Sequence, residues 1–377
     1  MALYLSVLLT LFNQISLKGS RMLVALYAID LGATPFSIGI LVSTYAFFPL
    51  LLAVYAGRVS DRIGVRLPMI AGSIGTAIGL LLPVSLPTMA TLYVSAALIG
   101  TSNLFFHVSA HNLIGAIGEP SERTKNFTTL SLGAALAGLF GPLLVGFMID
   151  HAGYSPAYVC LAALGAVPGL VLLCYARFIP ARVNSTQEKQ TGSMNELLGN
   201  ASLRGTFIAS GLVITGIELF NFYVPIYGRS VGLSASVIGV ILGTQAAAAF
   251  AVRLWMPRFS KRFGENRVLS ASLVMAGVTY LLFPIFEHPA ILAVIAFGLG
   301  LSLGCGQPLS IVLTYNHSPP RRAGEALGMR LTVNKFTQLA VPIIFGSLGS
   351  GFGVYPVFWA TASLLLAGGY LSAEKKR

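Results

Sequence analysis

Two stretches of this chain hold ionisable side chains among residues that are otherwise almost wholly apolar. Lys18 and Arg21 lie in "LFNQISLKGSRMLVALYAI", with Gln14 four residues before Lys18, so the three share one helical face. Glu218 and Asn221 occupy the same two places in "GLVITGIELFNFYVPIYG", 200 residues later. An ammonium, a guanidinium and a carboxylate at such depth suit ion pairing, proton exchange and the holding of a charged solute. Each charge costs roughly 2.5–3.5 kcal/mol to place mid-span on insertion scales, so each needs a partner or a task.

Further polar groups follow the same logic. Asn103, His107 and His111 recur at steps of four, with Asn112 beside them. Two histidines on one face are compatible with a metal or with hydrogen bonding to a solute. Val108 stands where a zinc-protease helix has its glutamate, and no metal is assigned. Gln307 is the counterpart of His107 at the 200-residue offset. Arg330, Asn334 and Gln338 line one side of a later run, with Lys335 at its edge and Arg330 close enough to an interface to snorkel. Arg253 falls near a span end and reads as interfacial. Lys18, Arg21, Asn103, His107, His111, Glu218, Asn221, Gln307, Arg330, Asn334 and Lys335 are therefore the candidates for substrate contact. Of these, Glu218, His107 and His111 are the groups suited to proton coupling.

Several chemistries are absent. The glycines of "GLGLSLGCG" follow no strand, so they read as close helix packing and not as a dinucleotide turn. There is no P-loop and hence no ATP drive. Cys160, Cys174 and Cys305 sit in apolar runs without ligand spacing. No nucleophile, base and metal cluster together, which argues against an enzyme and implies no cofactor. A receptor or scaffold that transports nothing remains the rival outside transport.

The elements that must position these groups are membrane helices. Of 377 residues 55% are hydrophobic, 10% are charged and 41 are glycine, too little polar surface for a soluble protein of this length. Breaks at glycine, proline and charge predict twelve spans: 4–29, 37–57, 67–86, 88–117, 126–149, 155–177, 205–228, 235–257, 268–286, 290–316, 325–349 and 354–372. The first run lacks a basic leader and continues past Arg21, so it reads as a span and not a signal peptide. The net charge of +12 is not spread as a nucleic-acid surface would be. It gathers in alternate loops, at Arg58, Arg62 and Arg66, then Arg177, Arg182 and Lys189, then Arg258, Lys261, Arg262 and Arg267, then Arg321, Arg322 and the terminal "EKKR". The intervening loops carry Asp30, Asp150 and Glu287, with Arg229 the lone basic residue. By the positive-inside rule both termini are expected in the cytoplasm, and the membrane is expected to be a bacterial inner (plasma) membrane. The sequons at Asn126, Asn184 and Asn200 then fall on that side and carry no meaning.

The longest polar stretch, "RVNSTQEKQTGSMNELLGNAS", separates two similar halves. Phe36 onward aligns without a gap on Ser236 onward. Gly39 meets Gly239, Arg62 meets Arg262, Gly64 meets Gly264, Gly100 meets Gly300, Pro142 meets Pro342 and Gly146 meets Gly346. The expected units are an N-terminal bundle over 1–177, a cytoplasmic linker over 178–204 and a C-terminal bundle over 205–377. Parallel repeats with a site between them are a transporter architecture.

"GRVSDRIGVR" resembles the signature loop between the second and third helices of the major facilitator superfamily. Gly57, Asp61, Arg62, Gly64 and Arg66 match its pattern, and Val65 departs where a basic residue is usual. "GLFGPLLVG" is similar to the fifth-helix element of exporters in that superfamily through Gly141 and Pro142, with a single Gly146 in place of a final pair. The resemblance implies an all-α fold of twelve helices in two six-helix bundles, and a monomeric secondary transporter of a small molecule that works by alternating access. It makes Gly57, Asp61, Arg62, Gly64, Arg66, Gly141 and Pro142 gating residues. Asp61 would cap a helix of the opposite half, and Gly57 would let a neighbour approach. It leans toward proton-coupled efflux, with an importer or exchanger of organic anions or siderophores as the alternative. The mid-span count of Lys18, Arg21 and Lys335 against Glu218 points to an anionic solute.

The orientation is testable without knowing the solute. On a background with the three native cysteines replaced, Ser185→Cys is expected to react with an impermeant maleimide only after cells are permeabilised. Labelling from outside intact cells would reverse the topology.

Overall fold

A computed structural model describes residues 2–117, 123–174, 197, 199–319 and 322–374. Most of the expected linker, with Arg177, Arg182 and Lys189, lies outside the described residues, as do Arg321 and residues 375–377. Among the described residues there are thirteen α-helices and no strand. They are α1 (Ala2–Asp30), α2 (Pro35–Ile63), α3 (Arg66–Ser85), α4 (Met89–Ala116), α5 (Arg123–Ala152) and α6 (Tyr154–Cys174). After these come α7 (Ala201–Ser230), α8 (Ala235–Phe263), α9 (Glu265–Leu282), α10 (Pro289–Gly304), α11 (Gly306–His317), α12 (Ala323–Phe352) and α13 (Val354–Glu374).

Ten of these segments are long and apolar enough to cross a membrane, with α10 and α11 counted as one. The other two, α1 and α12, have the length at 29 and 30 residues. Their polarity comes from the side chains singled out above, Lys18 and Arg21 in one and Arg330 and Lys335 in the other.

The tenth span is not one continuous helix, as expected, but two that meet at Cys305. Pro308 is the reason. It has no N–H to offer the carbonyl of Gly304 four residues earlier, and its ring crowds that carbonyl.

The 200-residue offset reappears as matched local structure. Thr34 caps α2 by accepting from Ser37 N–H, and Ser234 caps α8 by accepting from Val237 N–H. The positive-φ glycines form three pairs at that offset, Gly32 with Gly232, Gly64 with Gly264 and Gly153 with Gly353. Gly64 and Gly264, at φ 90° and 82°, end α2 and α8 in a conformation that costs glycine nothing and turn the chain into the next helix.

The first six helices pack on one another, as do the last seven, and the two groups meet chiefly along α5 with α8 and α2 with α12. Both seams rest on one device. A methyl at Gly239 would fall on the carbonyl oxygen of Pro142, and one at Gly39 on that of Pro342. Within each group, Gly100 backs onto the carbonyl of Tyr45 and Gly300 onto that of Gln245 in the same way. Small residues that let backbones touch are the main source of helix association where no water is expelled.

These approaches leave no room for a side chain. Gly100→Ala and Gly300→Ala should each destabilise the purified protein by about 1–3 kcal/mol, as overpacking does. Gly351→Ala, where nothing lies within 4 Å, should not. Melting temperatures for Gly100→Ala and Gly300→Ala equal to wild type would mean that the approach bears no weight.

Candidate functional site

A cavity of about 250 Å³ lies between the two groups of helices. Its walls come from α1, α5, α7, α8, the α10–α11 junction and α12. Met22, Ile214, Ile217, Leu242 and Leu303 make them apolar, while Lys18, Arg21, Glu218, Asn221, Gln245, Arg253, Gln307 and Gln338 add the polar groups. Five of these, Lys18, Arg21, Glu218, Asn221 and Gln307, are among the residues singled out from sequence as candidates for contact.

The two groups are joined across the cavity by an ion pair. Arg21 Nη1 donates to Glu218 Oε2 at 2.8 Å, with the side chains only 17% and 6% exposed. Tyr45 lies beneath the guanidinium, its ring centroid 5.8 Å from Cζ, and its hydroxyl donates to Ser20 Oγ. Lys18 sits one helical turn before Arg21. Among the described residues it makes no hydrogen bond or ion pair, yet the charges of Arg21, Glu218, Lys335 and Arg253 all act on it. Gly141 places it there, because a side chain at Gly141 would meet the backbone of Gly19 and Ile15 and Cβ of Lys18. Pro142, next in sequence, turns its carbonyl to Gly239. The Gly-Pro pair thus presses α5 against α1 on one side and α8 on the other.

Arg253 is not interfacial but lines the cavity. Its Nε donates to Gly304 O at 3.2 Å. That acceptor is the carbonyl left without a helical donor by Pro308. A proline four residues after a mid-span glycine was the signal that a donor must come from elsewhere. Gln245 went unnoticed too, although it is the offset partner of Tyr45, which supports Arg21.

Two candidates, Arg330 and Asn334, prove to support the cavity from behind. Arg330 does not snorkel. It is 2% exposed, and its Nε and Nη2 donate to Ser310 Oγ at 3.0 and 2.8 Å. Nη2 also reaches the backbone oxygen and Oε1 of Gln307, at 3.2 and 3.3 Å, so Arg330 holds Gln307 at the wall. Asn334 accepts from Ser210 Oγ at 2.9 Å and ties α12 to α7. Lys335 is exposed and donates to Gln338 Oε1 at 3.1 Å. Asn221 lines the cavity but donates back to Ile217 of its own helix.

Asn103, His107 and His111 are not among the residues that line this cavity. Asn103 donates to Asn13 Oδ1 at 2.7 Å and joins α4 to α1. The His107 and His111 rings lie 4.1 Å apart, and His111 Nδ1 approaches the His107 carbonyl. Among the described residues no group of three metal-ligating side chains forms.

The signature loop is at the end that carries the basic residues. Gly64 makes its turn, Arg62 is exposed in the last turn of α2, and Arg66 opens α3. One expectation differs from what is seen. A methyl at Gly57 would meet nothing within 4 Å, so no neighbour approaches it in this conformation. Asp61 is exposed, and Asn112 Nδ2 of the same half donates to its Oδ1 at 3.5 Å.

The arrangement expected of Asp61 exists at the opposite end. Asp150, at the end of α5, accepts from the N–H groups of Ala235 and Ser236 at 3.1 and 2.7 Å, where α8 begins. A carboxylate there satisfies orphan donors and meets the positive end of the helix dipole. Its counterpart at the 200-residue offset, Ser350, accepts from Phe36 N–H at 2.9 Å, where α2 begins. Asp30 completes the closure by accepting from Tyr154 Oη at 2.6 Å and from Arg229 Nη2 at 3.3 Å. Arg229, anomalous as a lone cation among acidic loops, is thus their partner across the two groups.

Comparisons with known proteins agree with this geometry. The Major Facilitator Superfamily model matches residues 6–230 and 206–373. Multidrug resistance protein MdtG of Dickeya zeae (strain Ech586) is 24% identical over 345 residues, covering 89% of this chain and 83% of the relative. MdtG of Salmonella arizonae is 22% identical, with 90% and 87% covered. Among solved structures, the nucleoside transporter NupG superimposes with a TM-score of 0.82 over 100% of both chains at 16% identity. A POT family transporter in complex with 5-aminolevulinic acid gives 0.78 over 98% of this chain and 94% of that one, at 14% identity.

Asp150→Ala should loosen the end that Asp150 closes. The lost cap is worth about 0.5–2 kcal/mol. In a cysteine-free background, Ala235→Cys, fully buried in this conformation, should then react with maleimide several-fold faster. An unchanged rate would show that Asp150 is only a surface cap.

Proposed function

The chain belongs to the Major Facilitator Superfamily, a family of membrane transporters and not of enzymes, and from that premise we propose that it carries a small organic anion across the membrane by alternating access. The observation that carries this is the cavity between the two groups, where Lys18, Arg21 and Arg253 face a single acid, Glu218. Charges in such a setting are stabilised by a counter-charge, and a carboxylate or phosphate on the solute supplies one. A volume of about 250 Å³ suits a small solute. Each chain holds a whole cavity, so one copy suffices.

On this account the present conformation faces the cytoplasm. The hydrogen bonds of Asp150, Ser350 and Asp30 close the end away from the basic loops. Rocking the two bundles would open this set and close the basic end, where the signature loop is expected to act as a gate.

Relatives named multidrug resistance proteins support outward movement. An anion leaving a cell with a negative interior gains about 2.3 kcal/mol per charge per 100 mV, a concentration ratio of about fifty. A second mode is favoured by the Arg21–Glu218 pair. Protonating Glu218 would leave Arg21 uncompensated and strengthen anion binding, and by reciprocity the anion would strengthen proton binding. Protonating His107 or His111 would act with the same sign. Proton and anion would therefore travel together, which is uptake driven by the proton gradient. Efflux in exchange for protons instead fits a cationic solute.

In proteoliposomes, wild-type protein should release preloaded radiolabelled benzoate under an interior-negative potential. Glu218→Gln should keep that response and lose any response to a pH gradient. Movement of ethidium against a proton gradient, with benzoate retained, would contradict the anionic reading.

A further inference from the structure

We infer that Lys18 and Arg253 together form the anion-binding subsite of the cavity, and that Arg21 is not part of it. The inference rests on the anionic reading above and goes further by naming the groups that take the charge. Arg21 already has its counter-charge in Glu218. Among the described residues no other acid lines the cavity, so Lys18 and Arg253 have no carboxylate of their own on its wall.

Lys18 and Arg253 differ in how they are held, and the difference fits two-point recognition. Arg253 is anchored through Nε to the Gly304 carbonyl, which Pro308 has stripped of its helical donor. That one bond fixes the guanidinium plane against the α10–α11 break. Among the described residues neither terminal nitrogen of Arg253 has a hydrogen-bond partner, so a forked pair of donors remains for a carboxylate or phosphate. Lys18 comes from the other half of the molecule, seated where Gly141 lets α1 and α5 touch, and offers a mobile point charge. The two cations repel each other across a cavity with apolar walls. An anion lying between them removes that repulsion and draws the two halves together. Gln307, steadied by Arg330, and Gln245 supply amides on the same wall for the solute's neutral polar groups.

The chemistry therefore specifies an anionic head that accepts two or more hydrogen bonds, attached to a small apolar body that fits against Met22, Ile214 and Leu303.

The test uses the full chain in detergent and four probes of similar size: phenyl phosphate, benzoate, benzyl alcohol and benzyltrimethylammonium. Dissociation constants are measured by calorimetry on protein that elutes as a single peak. Wild type should prefer phenyl phosphate and benzoate to benzyl alcohol. Arg253→Gln and Lys18→Gln should each weaken phenyl phosphate about tenfold or more, as expected for loss of a charge-assisted bond. Each should leave benzyl alcohol within about twofold of wild type, since the apolar walls are untouched. Arg253→Lys should fall between, because it keeps the charge and loses the fork. Arg267→Gln, exposed at the start of α9, is the charge control and should match wild type. If Arg253→Gln and Lys18→Gln bind phenyl phosphate as wild type does while Lys335→Gln does not, the solute is anionic but the subsite is wrong. If wild type binds benzyltrimethylammonium and neither anion, the anionic reading falls and the subsite with it.

Discussion

Burying a guanidinium and a carboxylate in the middle of a membrane protein is the constraint around which the rest of this structure is arranged. Neither Arg21 nor Glu218 is tolerable alone at that depth, and each lies on a different half of the chain. Their 2.8 Å contact joins the halves at the cavity wall. Such a pair contributes little net stability compared with apolar side chains of the same volume, because desolvation offsets most of the attraction. Its physical value is that it can be broken and remade, by a proton on Glu218, without unfolding anything.

Around that pair the backbone supplies rigidity. Glycine-on-carbonyl approaches bring the helix backbones together, and they occur in equivalent pairs because the two halves repeat. The repeat is not perfect, and its departures are where function concentrates. Asp150 and Ser350 cap equivalent helices, one with a charge and one without. Tyr45 and Gln245 are equivalent, and one supports Arg21 while the other lines the cavity. Lys18 and Arg21 face Glu218 and Asn221, so the symmetric halves carry opposite charge.

The spans, the duplication and the cavity's ionisable residues were legible in the sequence because each follows from a local cost. A charge among apolar residues needs a partner, and glycine or proline at a fixed offset is hard to produce by chance. The helix break at Cys305 was missed, although Pro308 made it readable: an acceptor without a helical donor lies four residues upstream. From its place in its own span Arg253 reads as interfacial, while its partner carbonyl, that of Gly304, lies on another helix. Arg330 was misjudged for the same reason, since the sequence does not show Ser310 and Gln307 packed against it. The close neighbour expected at Gly57 is not found among the described residues. Here the closing carboxylate is Asp150, and nothing in its sequence neighbourhood says which helix it meets.

The central claim is that Arg21 and Glu218 act as one unit that bridges the halves. A double-mutant cycle on unfolding free energy, with Arg21→Met, Glu218→Met and the pair, measures that coupling directly. Each single change should cost about 3–5 kcal/mol, because it strands the partner's charge, and the double change should cost far less than the sum. Additive costs would show that the two residues do not depend on each other, and the account built on their pairing would fail.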